Sequence, residues 1–565
     1  MQDLKFKLTE RYFMKAIIKL SISLILLMPC TWLFSQQISR DVVVIKPYEP
    51  TISDAVKIND LPRNDDTLAF TPSFTYNILP SGLTTEYEPK AIKPAKMTIP
   101  LTELYNSYIK AGLGNYFTPM AEYGYSSQRS KDHVIGVYLM HKSSNSKLKL
   151  DNEDKVPAGY SNSYAELSGK KIYDKVDLEG NIRLENNGLH HYGYNTEIFT
   201  DTFPEIRARD IKQRYFLFGT SADIYSTGFD DSPLNYRVGI GYDYFSDKFK
   251  NSENMLSLSG TLSRSIGKLM VGVDASLVNY LKSESIDSVN NTVIRATHWF
   301  SKRTAEWEAD LGFNAYVNIL DKAKTYIFPK ANVQFNMLEE VIVPYFGIDG
   351  RLNVNNYSTV TDENMFVVPG LNVANSVNKF IIYAGLKGKL SSITAFRFNV
   401  TYSLINDMHF FVNDTSGDYG NQFTVVYDDL EQIKYHGEIN LGISEKLNMM
   451  IKGSYYKYVT FDEEKAWHKP EYNIDFYFSY NLRNKILFDM DLIAIGNRYA
   501  KSFQEQVDFI RLEPVIDLNF AIEYRYSKIL SFFINLCNVT SSEYYMWNQY
   551  PAQRFNMLAG FTYKL

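Results

Sequence analysis

From about Ser107 to the end, the chain alternates between apolar and polar positions. Val176, Leu178, Gly180, Ile182 and Leu184 share one face of an extended segment, with Asp177, Glu179, Asn181, Arg183 and Glu185 on the other. Trp307, Ala309, Leu311, Phe313 and Ala315 alternate in the same way with Glu306, Glu308, Asp310, Gly312 and Asn314. At the C-terminus, Phe555, Met557, Ala559, Phe561, Tyr563 and Leu565 oppose Asn556, Gly560, Thr562 and Lys564. Period two predicts β-strands. A soluble sandwich would struggle to use so many long strands with aromatic ends. A barrel in a membrane uses both faces, the apolar one against lipid and the charged one lining the lumen.

The connections sharpen that reading. Tight turns are predicted at 128–131, 173–175, 265–267, 301–303, 338–340, 391–393, 444–446, 483–484 and 526–528, with a looser one at 226–233. Longer polar loops fall at 145–157, 188–209, 357–378, 462–469, 500–510 and 540–552, and 410–431 reads as one long loop carrying a small hairpin of its own. Short and long connections then alternate around about 22 strands, an even number that leaves both barrel ends on the side of the short turns. The fold class is all-β: a transmembrane antiparallel β-barrel, preceded by an extended Pro-rich N-terminal segment.

Three regions follow. Residues 1–35 read as a signal peptide, with Lys15 and Lys19 ahead of an apolar run from Leu20 to Met28 and Ser35-Gln36 as the cleavage point. Residues 36–106 carry Pro47, Pro50, Pro62, Pro72, Pro80, Pro89, Pro94 and Pro100, which exclude regular helix and predict an extended periplasmic or lumenal thread. Residues 107–565 are the barrel. Within the thread, Asp41-Val42-Val43-Val44-Ile45 is a β-prone run suited to adding a strand to a partner's sheet edge or to the barrel wall. Asp66-Thr67-Leu68 looks like a short O-glycosylation site of some outer-membrane bacteria.

Composition agrees. Aromatic residues make up 15% of the chain, with 43 Tyr and 36 Phe, while mean hydropathy is only -0.25 and 22% of residues are charged. That mixture is too polar for a helical membrane bundle and suits strands with one wet face. A net charge of -5 without a long basic run gives no footprint for nucleic acid. Cys30 falls in the leader, which leaves Cys537 without an intramolecular partner in the mature chain.

The sequence carries no nucleophile elbow, phosphate loop, zinc-type His pair or paired Cys-x-x-Cys, so no enzymatic activity, catalytic residue, cofactor or metal is expected. His190-His191, His409 near Asp407 and Asp414, and Asp428-Asp429 with Glu431 are read as solvated loop residues rather than as metal or catalytic sites. The inward charges, including Asp177, Arg183, Lys387, Arg397, Glu438, Asp475, Asp517 and Glu523, mix both signs and predict a self-paired lining. Strand-end aromatics such as Tyr480, Tyr524 and Tyr526 read as interfacial girdles. The loop aromatics Tyr544, Tyr545 and Trp547 are the better ligand candidates.

The opening strand Tyr108 to Tyr116 and the ending carry a family resemblance. Phe533-Ile534-Asn535-Leu536-Cys537-Asn538-Val539, followed by Tyr544-Tyr545, Trp547 and Tyr550-Pro551, resembles the last strands of TonB-dependent outer-membrane receptors. Asp41 to Ile45 looks like that family's energy-coupling box. The resemblance implies ligand reception or transport across the outer membrane, and contact with TonB or another periplasmic protein. It also implies the barrel insertion machinery and outer-membrane lipids as partners, with Phe561, Tyr563 and Leu565 as the insertion signal. The chain departs from the family by lacking a plug domain between box and barrel. Inward-folded loops, the thread or a partner must then fill the lumen, and a structural or assembly barrel that docks a periplasmic or lipoprotein partner is the rival expectation.

Overall fold

The computed structural model describes residues 105–565 apart from 128–129, 131, 195, 197–205, 228–233, 288, 338–340, 445 and 503–506. The leader, the Asp41 to Ile45 run, Asp66-Thr67-Leu68 and nearly all of the Pro-rich segment lie outside the described residues. Twenty-two strands form one antiparallel sheet in sequential order. Its first strand, Ser107–Gly114, pairs with Thr118–Ser126 on one side and with the last strand, Asn556–Lys564, on the other. Closure removes the sticky edge that the final alternating strand would otherwise present.

Small residues make the seam possible. Gly112 stands opposite Gly560, and a Cβ on Gly560 would fall 2.0 Å from the carbonyl oxygen of Ala111 and 2.7 Å from the Phe533 ring. The ring of Phe533 lies against both glycines on the inner side, and the Lys110 ammonium sits 4.3 Å from its centre.

The two faces sort as the alternation requires. Leu178, Ile182, Leu184, Leu311 and Phe313 project outward and exposed, while Asp177 is buried inside. Across the inner wall, Lys387, Arg397, Glu438, Lys452 and Asp475 are successive cross-strand neighbours. Lys452 and Asp475 close to 3.4 Å, and elsewhere Arg183 pairs with Asp243 at 2.9 Å and Lys170 with Asp177 at 3.0 Å. A lining paired in this way has no single sign to select for.

Phe561, Tyr563 and Leu565 all face outward from the last strand. Replacing Phe561 and Tyr563 together by Ser is expected to lower the amount of barrel recovered in the outer-membrane fraction several-fold on an immunoblot. Wild-type levels would contradict a role for this tail in insertion.

Two details differ from the alternation of short and long connections. Three outer connections, 115–117, 248–251 and 320–322, are themselves tight turns. At 248–251 the Asp247 carboxylate accepts from the backbone N–H of Phe249 and of Asn251 and so holds the turn, with Lys250 at φ +70°. Residues 410–431 are not mainly loop. Thr394–Asn413 and Phe423–Ser444 run on as one long hairpin, with a register shift between Ile405 and Met408 and a tip at 414–422. Asp429 holds the shift, accepting from Asn406 Nδ2 at 2.9 Å and from the N–H of Asp407 at 3.1 Å.

Candidate functional site

The apolar Phe410-Phe411-Val412 run explains why that hairpin rises beyond the wall. All three residues are buried, although a strand in a barrel wall buries only alternate positions in protein. Phe411 joins one apolar cluster and Phe410 and Val412 another, so both faces of the hairpin top are covered by the barrel's own loops.

The loops converge from around the ring. Helix α1, Tyr357–Glu363, stands in the connection 354–375 and is started by a capping box between Asn356 and Thr359. Tyr357 is buried between Tyr215 and Phe245, and its hydroxyl donates to Asp247 at 2.8 Å. Beyond the helix, Val367 forms a parallel bridge with Phe423.

Phe366 stacks on Tyr550 at 3.8 Å, and Tyr192 meets both rings edge-on at 6.0 and 4.9 Å. Those three aromatics come from the connections after the fifth, thirteenth and twenty-first strands, which are spread widely around the ring. They can meet only over the mouth.

One hydrogen bond makes the same point. Asn421 Nδ2 donates to the carbonyl of His191 at 2.5 Å. His191 follows the fifth strand and Asn421 precedes the sixteenth, positions directly opposite in a ring of 22. Strand spacing of about 4.8 Å and a tilt of about 40° make such a ring roughly 40 Å across. A side chain bonded across it requires the loops from both walls to reach the middle.

Several polar groups inside this cap are held by specific partners, while buried atoms such as His191 Nε2 and Arg498 Nε have none. His468 is buried, with Nδ1 donating to the Phe411 carbonyl at 3.0 Å and Nε2 accepting from the Asn548 N–H at 3.3 Å. That arrangement fixes a neutral ring. Burial, with the nearby Arg498 and Lys469 charges, pulls its pKa down to about 3 against the Phe411 hydrogen bond. His191 is likewise pulled down to about 4, by burial above all and by the His190 and Lys248 side chains.

Arg498, which is buried, donates to the carbonyls of Met546, Tyr545 and Glu513 at 2.8, 2.7 and 3.2 Å. Burial lowers its guanidinium to about 10, where it stays charged at neutral pH. Glu363, at the end of α1, accepts from Lys469 Nζ at 2.6 Å and from His409 Nε2 at 2.9 Å. Burial alone would raise its carboxyl, but the Lys469 charge and the His409 contact outweigh burial and hold it well below the usual range.

Several residues singled out in the sequence take part. Tyr544 is buried and donates to Asp517 at 2.8 Å, while Tyr545 reaches Asp151 on the outer loop after the third strand. Trp547 packs on Phe411, His468 and Phe423 at 5.2, 5.2 and 5.7 Å. His409 turns to Glu363 rather than to Asp407 or Asp414. The Asp428 carboxylate accepts from the N–H groups of Phe461, Asp462 and Glu463 and anchors that loop. His190 binds the Gly159 carbonyl at 2.6 Å.

Sequence reading passed over Asn421, His468, Arg498, Glu363 and Lys469. The available signal was indirect: Met365-Phe366-Val367-Val368 lies in a connection that should be polar if it faces water.

Solved structures supply the comparison. The FrpB iron transporter from Neisseria meningitidis superposes with a TM-score of 0.62 at 9% identity, over 82% of this chain and 82% of that one. The pyoverdine outer-membrane receptor FpvA from Pseudomonas aeruginosa, bound to pyoverdine, gives 0.61 at 9% over 82% and 79%. The ferric-catecholate import receptor Fiu from E. coli K12 gives 0.59 at 10% over 82% and 82%. The chain has the fold of these outer-membrane receptors. At such identities the likeness is one of fold. No family model matches the chain, and no curated protein does. In this barrel the mouth is shut by the chain's own outer loops.

Proposed function

We propose that this is a TonB-receptor-like outer-membrane barrel that receives a ligand at its outer face, delivered to the membrane by a cleaved signal peptide. Its inward-folded outer loops take over the occlusion that a separate plug would provide. The observation that carries the reading is the contact of loops from opposite walls over the mouth, sealed by Phe366, Tyr192 and Tyr550. An occluded receptor-type barrel fits gated entry better than free diffusion.

Tyr545, at the surface, and Trp547, packed on Phe411 and Phe423, would be the first aromatics a ligand meets. A ligand that engages Trp547 has to part this packing, so reception and opening are coupled. Asp41 to Ile45 then offers a short strand to TonB or another periplasmic protein. Deleting residues 41–50 is expected to abolish ligand-dependent uptake while leaving barrel levels unchanged. Undiminished uptake would end the case for energy coupling.

The second reading has its own support. Phe410, Phe423, Val367 and Trp467 are as buried as residues of a domain core, which suits a permanently filled barrel that serves as a scaffold. In that case the full chain should co-purify with a periplasmic protein or lipoprotein, and the complex should be lost when residues 36–106 are removed.

A further inference from the structure

We propose that one arc of the rim carrying the short turns is a binding site for anionic glycerophospholipid headgroups. Lys446, Arg483, Lys485 and Lys528 are exposed there, on three successive short turns of the ring. In the sequence of those turns the sole acidic residue is Glu445. Lys485 Nζ lies 3.3 Å from the carbonyls of Arg525 and of Tyr526. It therefore leans onto the neighbouring turn and brings its charge toward Lys528.

Backbone conformation supplies a second, independent observation. The turn between Leu482 and Lys485 places Arg483 at φ +54° and Asn484 at φ +56°. Both central positions of such a turn favour Gly, Asn or Asp. Asn484 conforms, whereas Arg483 takes the left-handed backbone that the two-residue turn imposes, so a cation stands at this tip against the local preference for a short residue.

The neighbouring surface decides which anion. Tyr480, Tyr524 and Tyr526 are exposed beside the cations, and Ile486 pairs with Tyr524 on the outward, lipid-facing side of the wall. A cationic patch directly bordering a lipid-facing aromatic girdle matches a headgroup whose acyl chains lie along the wall. A soluble acidic protein would find half of that surface occupied by membrane. Short turns mark the periplasmic side of bacterial barrels, so the leaflet concerned is the phospholipid one.

The test offers equal amounts of phosphatidylglycerol and phosphatidylethanolamine to the delipidated full-length protein in detergent and counts the retained lipids by native mass spectrometry. Phosphatidylglycerol is expected to be preferred about tenfold. The preference should fall to near unity in the Arg483→Asn, Lys485→Gln, Lys528→Gln triple variant. It should persist in a Lys322→Gln, Lys324→Gln control on the opposite rim. Asn suits the backbone at position 483, and strand content by circular dichroism confirms that both variants are folded barrels.

Equal retention of the two lipids by the wild-type protein, or an unchanged preference in the triple variant, would overturn the proposal. Glycerol phosphate at the same concentration should fail to displace phosphatidylglycerol. Full displacement would mean that a soluble anion is the ligand, and would overturn it equally.

Discussion

Lowering the pH from about 7.5 to about 4.5 is expected to loosen the outer cap while the barrel wall stays intact. His468 and His191 are neutral inside the cap, at about 3 and about 4, against about 6.5 in an unfolded loop. Both folded values are depressed. Their contribution is therefore complete above about pH 6.5 and is lost as pH falls toward the folded values, because the opened loops bind protons that the closed cap refuses. At 1.36 kcal/mol per unit, two such groups remove on the order of 4–5 kcal/mol by pH 4.5.

The Arg498 and Lys469 charges beside His468 and the Lys248 charge beside His191 push in the same direction, whereas the Asp362 carboxyl on α1, raised to about 6 by burial and Glu185, takes up a proton over the same descent and offsets part of the loss. Glu363 holds its charge below this range, so its contacts with Lys469 and His409 should survive the descent. Hydrogen exchange at 461–471 and 543–552 should accelerate strongly at pH 4.5, with the wall strands unaffected. His468→Gln keeps one donor and one acceptor without a titrating ring, and should remove about half of the effect. Exchange that is identical at both pH values would show that these rings do not couple to cap closure.

Arg498→Met is expected to be the most damaging single change in the cap. The guanidinium is the donor to three backbone carbonyls from two different loops. Methionine keeps an unbranched, flexible stem but is shorter and donates nothing, so Tyr545, Met546 and Glu513 lose an internal partner. Carbonyls left without a donor cost about 1–3 kcal/mol each, partly offset because a buried charge is no longer desolvated, for a net loss of about 3 kcal/mol. The Tyr545–Trp547 and Tyr550–Pro551 hairpin should detach first. Limited proteolysis of the folded barrel should then cut within 541–552 far faster than in the wild type. Equal cutting rates would show that the hairpin is held by its aromatic contacts alone.

The wall was legible in the sequence because its information is local. Period two in Val176 to Glu185 or in Phe555 to Leu565 assigns each residue to lipid or lumen without knowledge of any neighbour, and the short turns give the strand parity. The cap was not legible, because its contacts join residues such as His191 and Asn421 that are far apart in sequence and opposite in the ring. What did show was a conflict. Phe410-Phe411-Val412 and Met365 to Val368 are uninterrupted apolar runs in stretches read as polar loops, and a run buried on both faces breaks the alternation that marks the wall. The sequence leads to the expectation that inward-folded loops, the thread or a partner fill the lumen, and among the described residues the outer loops close its mouth.

Single-channel recording of the purified full-length barrel in planar bilayers at neutral pH tests the closure most directly. The intact protein should show no large steady conductance. A variant in which 356–372 is replaced by a short Gly-Ser linker should open steps of the size expected for a wide lumen, because α1, Phe366 and Val367 leave the mouth together. A large, steady conductance from the intact barrel would contradict the closed cap.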